Sequence, residues 1–311
     1  MKQAEQPMLS VLMPVYNGER YLVEAIESIL SQTFIDFEFI IVDDGSTDKS
    51  LAILRRYADK DGRVRVISRP NTDIVGALND GLAVSCGEFV ARMDADDIAL
   101  PERFDLQVAF LTDNPDVACV GCAAQQIDLR GTYLAKWETP LDNETIQARH
   151  LIGQTSLVHP GVMFRRDAVA AIGGYNPEIP LAQDLDLWLR LGEGCRLANL
   201  PSVLLLYRVH DKAISESRQL EQLACAQLAV DHACERRGIA KSNLELKPYR
   251  PTNDRASRHQ ISLAYGWMTF MKGERRAARH YGFQAIRWMP WRSEGWRLLA
   301  CSLLKTPRVV E

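Results

Sequence analysis

Residues 88–97 read Glu-Phe-Val-Ala-Arg-Met-Asp-Ala-Asp-Asp, an apolar run of strand length that ends in carboxylates. The run predicts a buried strand, with Asp94 and Asp96 at its carboxyl end. Carboxylates this close disfavour each other's ionisation unless a cation lies between them. Mg²⁺ and Mn²⁺ prefer such oxygen ligands. The pattern indicates a divalent metal site, and the alternative is an acidic turn that precedes the next helix.

The chain before this run alternates short apolar segments with segments of helical periodicity. The predicted strands are residues 9–15, 37–42, 64–67 and 89–93, and the predicted helices are residues 19–30, 51–58 and 74–84. Strands that alternate with helices and are rich in Val, Ile and Phe favour a parallel sheet covered on both faces. Ligands of such sheets bind at the carboxyl ends of the strands. Pro14-Val-Tyr-Asn17, Asp43-Asp44 and Asp94-Ala-Asp96 should therefore converge on one crevice.

The pattern changes after about residue 115. Residues 117–128, 132–137 and 202–207 predict strands of a mixed sheet, and residues 142–151 and 183–191 predict helices. Asp184 would lie in the first turn of its helix, where the helix dipole favours negative charge, so a purely structural acid is the alternative to a functional one. Residues 215–311 predict helices alone. We therefore divide the chain into a domain of residues 1–214, with halves 1–115 and 116–214, and a helical region of residues 215–311.

The composition is that of an ordinary globular protein. The 311 residues are 47% hydrophobic and 25% charged, and the net charge of −3 implies no general attraction to nucleic acid. The seven cysteines form no disulfide pattern, and Cys119-x-x-Cys122 lies in an apolar run without a second ligand pair. Free thiols suit a reducing cytoplasm. We see no signal peptide and no apolar run of about 18 residues, and so expect a cytoplasmic protein, soluble or peripheral at the inner face of the membrane.

The C-terminal segment differs in charge from the rest of the chain. Residues 271–311 contain nine Lys or Arg and three Glu, a formal charge of +6, and four of the six tryptophans lie at residues 267, 288, 291 and 296. Three explanations stay open. The segment packs as helices on the core, binds a membrane surface through tryptophan and basic side chains, or binds a partner protein.

Four motifs in one order resemble the family 2 glycosyltransferases of the GT-A fold. They are Val11-Leu-Met-Pro-Val-Tyr-Asn-Gly18, Ile40-Ile-Val-Asp-Asp-Gly-Ser-Thr-Asp48, Met93-Asp-Ala-Asp-Asp97, and the set His159-Pro160, Gly173-Gly-Tyr175 and Gln183-Asp-Leu-Asp-Leu-Trp-Leu-Arg190. The resemblance covers roughly residues 8–212. It implies an α/β fold with a mixed central sheet flanked by helices, to which this chain adds a helical C-terminal extension.

The resemblance also implies roles for single residues. Pro14 and Tyr16 would line the nucleotide base, and Asp44 would hydrogen-bond it. Gly76 and Asn79 match a stretch that closes over the nucleotide. Asp94 would face the ribose or the metal, and Asp96 would hold the metal. Asp184 matches the family's catalytic aspartate. His210 matches positions that ligate the metal or touch a phosphate. The family motif often has Glu before this aspartate, where this chain has Gln183.

The implied reaction moves a sugar from a nucleotide-diphosphate donor, with a UDP-sugar favoured, to a saccharide or lipid-linked acceptor in surface polysaccharide synthesis. A metal on Asp96, Mn²⁺ or Mg²⁺, would stabilise the leaving diphosphate. Asp184 would deprotonate the acceptor hydroxyl in a single displacement that inverts the anomeric centre. The alternative is a non-catalytic relative that binds sugar nucleotides. A haloacid dehalogenase phosphatase is disfavoured because its D-x-D lies on the first strand, and a dinucleotide dehydrogenase because G-x-G-x-x-G is missing after strand one.

Overall fold

The computed structural model of the chain describes residues 6–209, 218–241 and 254–305. Contacts between residues divide the chain into two compact units. The first contains the chain up to Ala124, Trp137–Tyr207 and the helix that begins near Glu221. The second contains Gln125–Lys136 and the last helices.

The first unit is organised around parallel strands. The strands are β1 (Leu9–Val15), β2 (Phe37–Asp43), β3 (Val64–Ser68) and β4 (Phe89–Arg92), in the spatial order β3-β2-β1-β4. Each adjacent pair is parallel, with Val15 opposite Asp43 and Leu12 opposite Arg92. The carboxyl ends of β1, β2 and β4 therefore meet at one edge of the sheet.

The sheet continues with strands of the second half of this unit. These are β5 (Ile98–Ala99), β6 (Val117–Ile127), β8 (Met163–Arg165) and β9 (Arg196–Arg208), and the order beyond β4 is β8-β6-β9-β5. Strand β8 is antiparallel to both β4 and β6, and β5 is antiparallel to β9. The sheet is therefore mixed, as the change of pattern after residue 115 predicted.

Helices cover the sheet of this unit. They are α1 (Leu22–Leu30), α2 (Ser50–Ala58), α3 (Ile74–Val84), α4 (Arg103–Asp113), α5 (Asn143–His150), α6 (Arg166–Ala171), α7 (Gln183–Leu191) and α8 (Gln219–Arg237). Two clusters of buried apolar side chains pack between helices and sheet, one around Val11, Ile26 and Phe104 and the other around Leu12, Leu78 and Trp188. The predicted cover on both faces is present.

Helix α8 packs against α7. Ala229, Val230 and Ala233 of α8 share a buried cluster with Leu185 and Leu189 of α7. The Arg237 guanidinium donates to the Leu189 carbonyl oxygen at 2.9 Å. Contacts thus group α8 with the first unit, whereas the sequence assigned it to the helical region of residues 215–311. The amphipathic pattern of α8 predicts a buried face but does not tell which element covers that face. The predicted boundary at residue 214 stays a prediction.

The second unit combines a short hairpin segment with three helices. Strand β7 (Tyr133–Trp137) follows a turn in which the Asp128 amide donates to the Thr132 carbonyl at 2.9 Å. The helices are α9 (Arg255–Met271), α10 (Arg275–Trp288) and α11 (Ser293–Leu304). Leu134, Tyr265 and Tyr281 form one of its buried clusters, and Phe270, Ala278 and Leu298 form another.

The predicted elements are present, with changes at their ends. Helix α1 begins at Leu22 and not at Glu19, because residues 17–20 form a loop whose amides bind side chains of the next loop. Strand β9 begins at Arg196, ahead of the predicted residue 202, and continues through Pro201. Cys119 and Cys122 are buried in β6, as their apolar surroundings predicted. Among the described helices, none combines the length and apolar character that crossing a bilayer requires.

We expect Gly87→Ala to destabilise the first unit. A Cβ at residue 87 would lie 2.5 Å from the Ser10 amide nitrogen and 2.7 Å from the Leu9 carbonyl carbon, and backbone of a central strand cannot yield as a side chain can. Overpacking of this kind costs about 1–3 kcal/mol. Urea unfolding should show that loss, whereas Gly62→Ala, with no atom within 4 Å of the new methyl, should leave stability nearly unchanged. Equal stability of both variants would contradict the packing argument.

Candidate active site

Three loops at the carboxyl ends of β1, β2 and β4 lie against one another. The Asn17 side-chain oxygen accepts hydrogen bonds from the amides of Thr47, at 2.8 Å, and Asp48, at 3.3 Å. The Gly18 amide donates to the Ser50 hydroxyl at 2.9 Å. A Cβ built on Gly18 would lie 3.5 Å from that of Ala95, so the loop after β4 is adjacent too. The predicted convergence of the three polar clusters is therefore present.

A group of carboxylates follows β4. Oxygen atoms of Asp94, Asp96 and Asp97 all lie within 4.8 Å of one another. Within the described residues, this is the one group of three or more acidic, His or Cys side chains with such geometry. Asp97 is buried, and Asp94 and Asp96 are partly exposed. Hard oxygen donors in this arrangement are a donor set that suits Mg²⁺ or Mn²⁺.

The buried Arg92 guanidinium supplies positive charge beneath these carboxylates. Its Nη1 lies 2.5 Å from Asp94 Oδ2, and the Arg92 side chain is 2% exposed. Burial alone would lower the pKa of Arg92, but the negative charges of Asp94 and Asp97 outweigh it and raise the pKa above its ordinary value. Arg92 therefore stays charged and offsets part of the repulsion among the acidic groups.

A second buried arginine fixes the backbone at the end of β4. Arg103 of α4 donates through Nη2 to the carbonyl oxygens of Arg92, at 2.8 Å, and Val162, at 3.0 Å. Its Nε donates to Gln107 Oε1 at 3.0 Å, and Gln107 in turn donates to the Gly161 carbonyl at 2.8 Å. Burial lowers the pKa of Arg103 to about 10, so it remains protonated at neutral pH. These bonds hold the strand end from which the acidic residues project.

Asp184 joins this site from a distant part of the sequence. It lies in the first turn of α7, half-buried. Burial raises the pKa of Asp184, and the negative charge of Asp94 acts in the same direction, while backbone hydrogen bonds and Arg92 oppose the shift. A carboxylate with a raised pKa close to this acidic group is suited to accept a proton from a hydroxyl.

Asp44, at the end of β2, is tied to the loop that precedes α3. Its carboxylate accepts hydrogen bonds from Asn71 Nδ2 at 3.1 Å and the Thr72 amide at 3.2 Å, and Arg69 Nε lies 3.3 Å away. Burial raises the pKa of Asp44. The Arg69 guanidinium also covers Gly76, where an added Cβ would lie 2.8 Å from Nη1. Asp44 and Gly76 thus both lie against the Arg69 guanidinium.

Asn79 binds backbone atoms of the first unit. Its Nδ2 donates to the Tyr175 carbonyl at 2.9 Å, and its Oδ1 accepts from the Tyr175 amide at 2.9 Å. The Tyr175 hydroxyl lies 2.8 Å from His159 Nε2. Burial, together with the charge of Arg92, holds the pKa of His159 well below its ordinary value, so this imidazole is neutral. Asn79 therefore positions Tyr175, and its predicted contact with a nucleotide stays a prediction.

The remaining predicted residues fall in different environments. Pro14 is buried at the end of β1, and Tyr16 is 55% exposed beside it. Gln183 precedes Asp184 at the start of α7 and is half-buried. His210 lies outside the described residues, so its predicted metal contact stays a prediction.

Sequence reasoning missed Arg92, Arg103 and Asp97 as parts of the site. Asp97 belongs to the same acidic run, of which only Asp94 and Asp96 were predicted to lie at the metal site. A charged residue inside a buried strand was the available signal for Arg92, since arginine is almost never fully buried without a partner. Nothing in the spacing of Arg103 points to the Arg92 carbonyl.

Two solved structures share this fold. The mannosyltransferase PcManGT from Pyrobaculum calidifontis, in complex with GDP-Man and Mn²⁺, has a TM-score of 0.57 and 17% identity, over 96% of this chain and 87% of that one. S. aureus TarS in complex with UDP has a TM-score of 0.55 and 18% identity, over 94% of this chain and 90% of that one. These likenesses confirm the GT-A-like fold predicted for this chain.

The sequence places it in a particular family. The model described as Glycosyl transferase family 2 matches residues 10–173. The O-antigen biosynthesis glycosyltransferase WbnJ of Escherichia coli is 32% identical over 75% of this chain and 91% of its own length. The amylovoran biosynthesis glycosyltransferase AmsE of Erwinia amylovora is 35% identical over 68% of this chain and 80% of its own. The chain belongs to glycosyl transferase family 2 and is a glycosyltransferase, as predicted.

We expect Arg92→Met to destabilise the fold by about 3 kcal/mol, because removing one partner of a buried ion pair leaves uncompensated charge. Urea unfolding at neutral pH measures the loss. Arg65→Met, on an exposed position of β3, is the matched control and should stay within about 0.5 kcal/mol of the parent. Because acid protonates the carboxylates, the difference between the two variants should shrink as the pH falls. A difference that is absent at neutral pH would show that Arg92 does not balance the acidic group.

Proposed function

We propose that this chain is a metal-dependent, inverting glycosyltransferase that acts in surface polysaccharide synthesis. It moves a sugar from a nucleotide-diphosphate donor, a UDP-sugar in first place, to a hydroxyl of a saccharide or lipid-linked acceptor. The observation that carries the proposal is the acidic group of Asp94, Asp96 and Asp97, balanced by Arg92 and joined by Asp184.

The acidic group supports a divalent metal. Asp96, with Asp94 and Asp97 beside it, would hold Mn²⁺ or Mg²⁺ through oxygen atoms, which are the ligands these ions prefer. The bound ion would stabilise the charge of the leaving diphosphate.

Asp184 supplies the base. A direct attack of an acceptor hydroxyl on the anomeric carbon needs one proton acceptor and no protein nucleophile, and it inverts the anomeric centre. Burial raises the pKa of Asp184, which improves its match to this task at neutral pH. Its position on α7, against which α8 packs, keeps the carboxylate in a fixed place.

The nucleotide would bind at the carboxyl ends of β1 and β2. Tyr16 is 55% exposed and free to stack on a base, with Pro14 beneath it. Asp44 is held by Asn71 and Thr72 at the neighbouring strand end. The structural neighbour TarS in complex with UDP supports a uridine donor, while PcManGT in complex with GDP-Man keeps guanosine as the competing choice. The names of WbnJ and AmsE support a polysaccharide pathway.

The donor class is tested by thermal stabilisation with UDP, GDP and TDP, each with and without Mn²⁺ or Mg²⁺. A ligand that binds only the folded state adds about 2.7 kcal/mol at a hundredfold excess over Kd. We expect UDP with metal to raise the melting temperature most, and UDP with a chelator to raise it little. Asp96→Asn should remove the metal-dependent part.

The control for that measurement is Asp113→Asn, at an exposed carboxylate near the end of α4. It should retain the full shift with UDP and metal. A shift with GDP and none with UDP would make guanosine, and not uridine, the base of the donor. Equal shifts with and without metal would overturn the proposed metal dependence.

We expect Asp184→Asn to lower transfer by about 10²–10⁴-fold, the usual contribution of a general base, while nucleotide binding is retained. Asp167→Asn, an exposed carboxylate on α6, is the matched control. In the parent, activity requires ionised Asp184, so the rate should fall as the pH drops through its pKa. Because burial raises that pKa, the decline should begin above the range of an ordinary aspartate, about pH 4. Transfer by Asp184→Asn at the parent rate would remove this residue from the base role.

A further inference from the structure

Helices α10 and α11 of the second unit form a tight antiparallel pair. Two glycines allow the close approach: a Cβ at Gly282 would lie 3.3 Å from the Leu299 Cα, and a Cβ at Gly295 would lie 3.0 Å from the Ile286 nitrogen. Ala278 of α10 and Leu298 of α11 are buried together with Phe270 of α9. Each helix therefore has one side that packs on α9 and an opposite side that does not.

The side of α10 that faces away from α9 carries basic and aromatic residues. Arg276, Arg279, Phe283 and Arg287 are all exposed and follow a spacing of three or four residues, which places them in one stripe. Phe283 is 60% exposed and lies on the side of the helix opposite Ala278. A polar stripe of a solvated helix would not require an aromatic ring at its centre.

The outward side of α11 and the connection before it expose large apolar side chains. Trp291 is 68% exposed and Trp296 is 53% exposed. The Trp296 Nε1 donates to the Pro290 carbonyl at 2.9 Å, which places both indoles at the same end of the helix pair. Leu303 and Leu304, at the other end of α11, are also exposed. We call Arg276, Arg279, Phe283, Arg287, Trp291 and Trp296 the α10–α11 surface.

The charge of this surface is not balanced within the described chain. No carboxylate of the described residues lies within 4 Å of the guanidinium groups of Arg276, Arg279 or Arg287. Glu294 pairs instead with Arg292, at 3.8 Å. The segment 271–311 has a formal charge of +6 within a chain of net charge −3. Exposed aromatic side chains and cations on one pair of helices fit an anionic partner that also accepts apolar groups.

We propose that the α10–α11 surface binds membranes that contain anionic lipids. Tryptophan prefers the headgroup level of a bilayer, and nearby arginines are attracted by the negative surface potential. Both features occur here on one pair of helices, on residues that do not pack against α9. Binding through this face holds the enzyme at the membrane surface, where a lipid-linked acceptor is found. The membrane contact itself does not depend on the proposed nucleotide site.

The test is sedimentation of the full chain with vesicles of phosphatidylcholine alone or with added phosphatidylglycerol. We expect binding to the anionic vesicles only, weakened when NaCl is raised from about 0.1 M to about 0.5 M, because salt screens the attraction. Trp291→Ser with Trp296→Ser should lower the partition coefficient roughly tenfold. Arg276→Glu with Arg287→Glu should lower it at least as much.

The control variants change exposed residues outside the α10–α11 surface. Ile35→Ser removes a side chain that is 75% exposed, and Arg55→Glu reverses an exposed charge on α2. Both should bind vesicles as the parent does. All variants should keep the parent melting temperature and the parent shift with UDP and metal, which separates a failure at this surface from a failure of the nucleotide site.

Four results would overturn the proposal. One is equal sedimentation of the parent with neutral and anionic vesicles. The second is parent-like vesicle binding by both surface variants. The third is a dimer in sedimentation velocity that the tryptophan substitutions dissociate, which would assign the surface to a second copy of this chain. Binding of duplex DNA with an affinity equal to that for anionic vesicles would likewise count against a lipid surface.

Discussion

The site depends on the ion pair between buried Arg92 and Asp94, with the other carboxylates of the run beside it. Grouped carboxylates repel one another, and a buried cation at 2.5 Å reduces that repulsion without occupying the solvent side of the group. Arg103 donates a hydrogen bond to the Arg92 carbonyl oxygen. This bond holds in place the backbone that carries the acidic residues.

Asp184 is positioned by different contacts. It lies near Asp94 in the first turn of α7, and this helix buries Leu185 and Leu189 against α8. Helix α8 lies beyond the span of the family match, which ends at residue 173. Asn79 adds a second restraint by binding both backbone groups of Tyr175. Packing outside the span of the family match thus helps to hold Asp184 in place.

The pattern of apolar residues predicted the strands of the first half of the chain. Apolar runs such as residues 9–15 and 37–43 are buried on both faces, so composition alone marks them as parallel strands. Parallel strands end at the same edge, so the meeting of Asp44, Asp94 and Tyr16 follows from topology. The start of α1 was misplaced because Asn17 and Gly18 bind residues of the β2–α2 loop, a contact between loops distant in sequence.

The sequence by itself determined the family, the alternating strand and helix order, and the identity of the acidic residues, because these are carried by short motifs and by local periodicity. The tertiary structure alone decided that Arg92 and Arg103 support the acidic run, that Asn79 serves Tyr175, and that α8 packs on α7. Each of these is a contact between segments far apart in the chain. A side chain's partner in such a contact depends on how the elements pack, which neither composition nor spacing encodes.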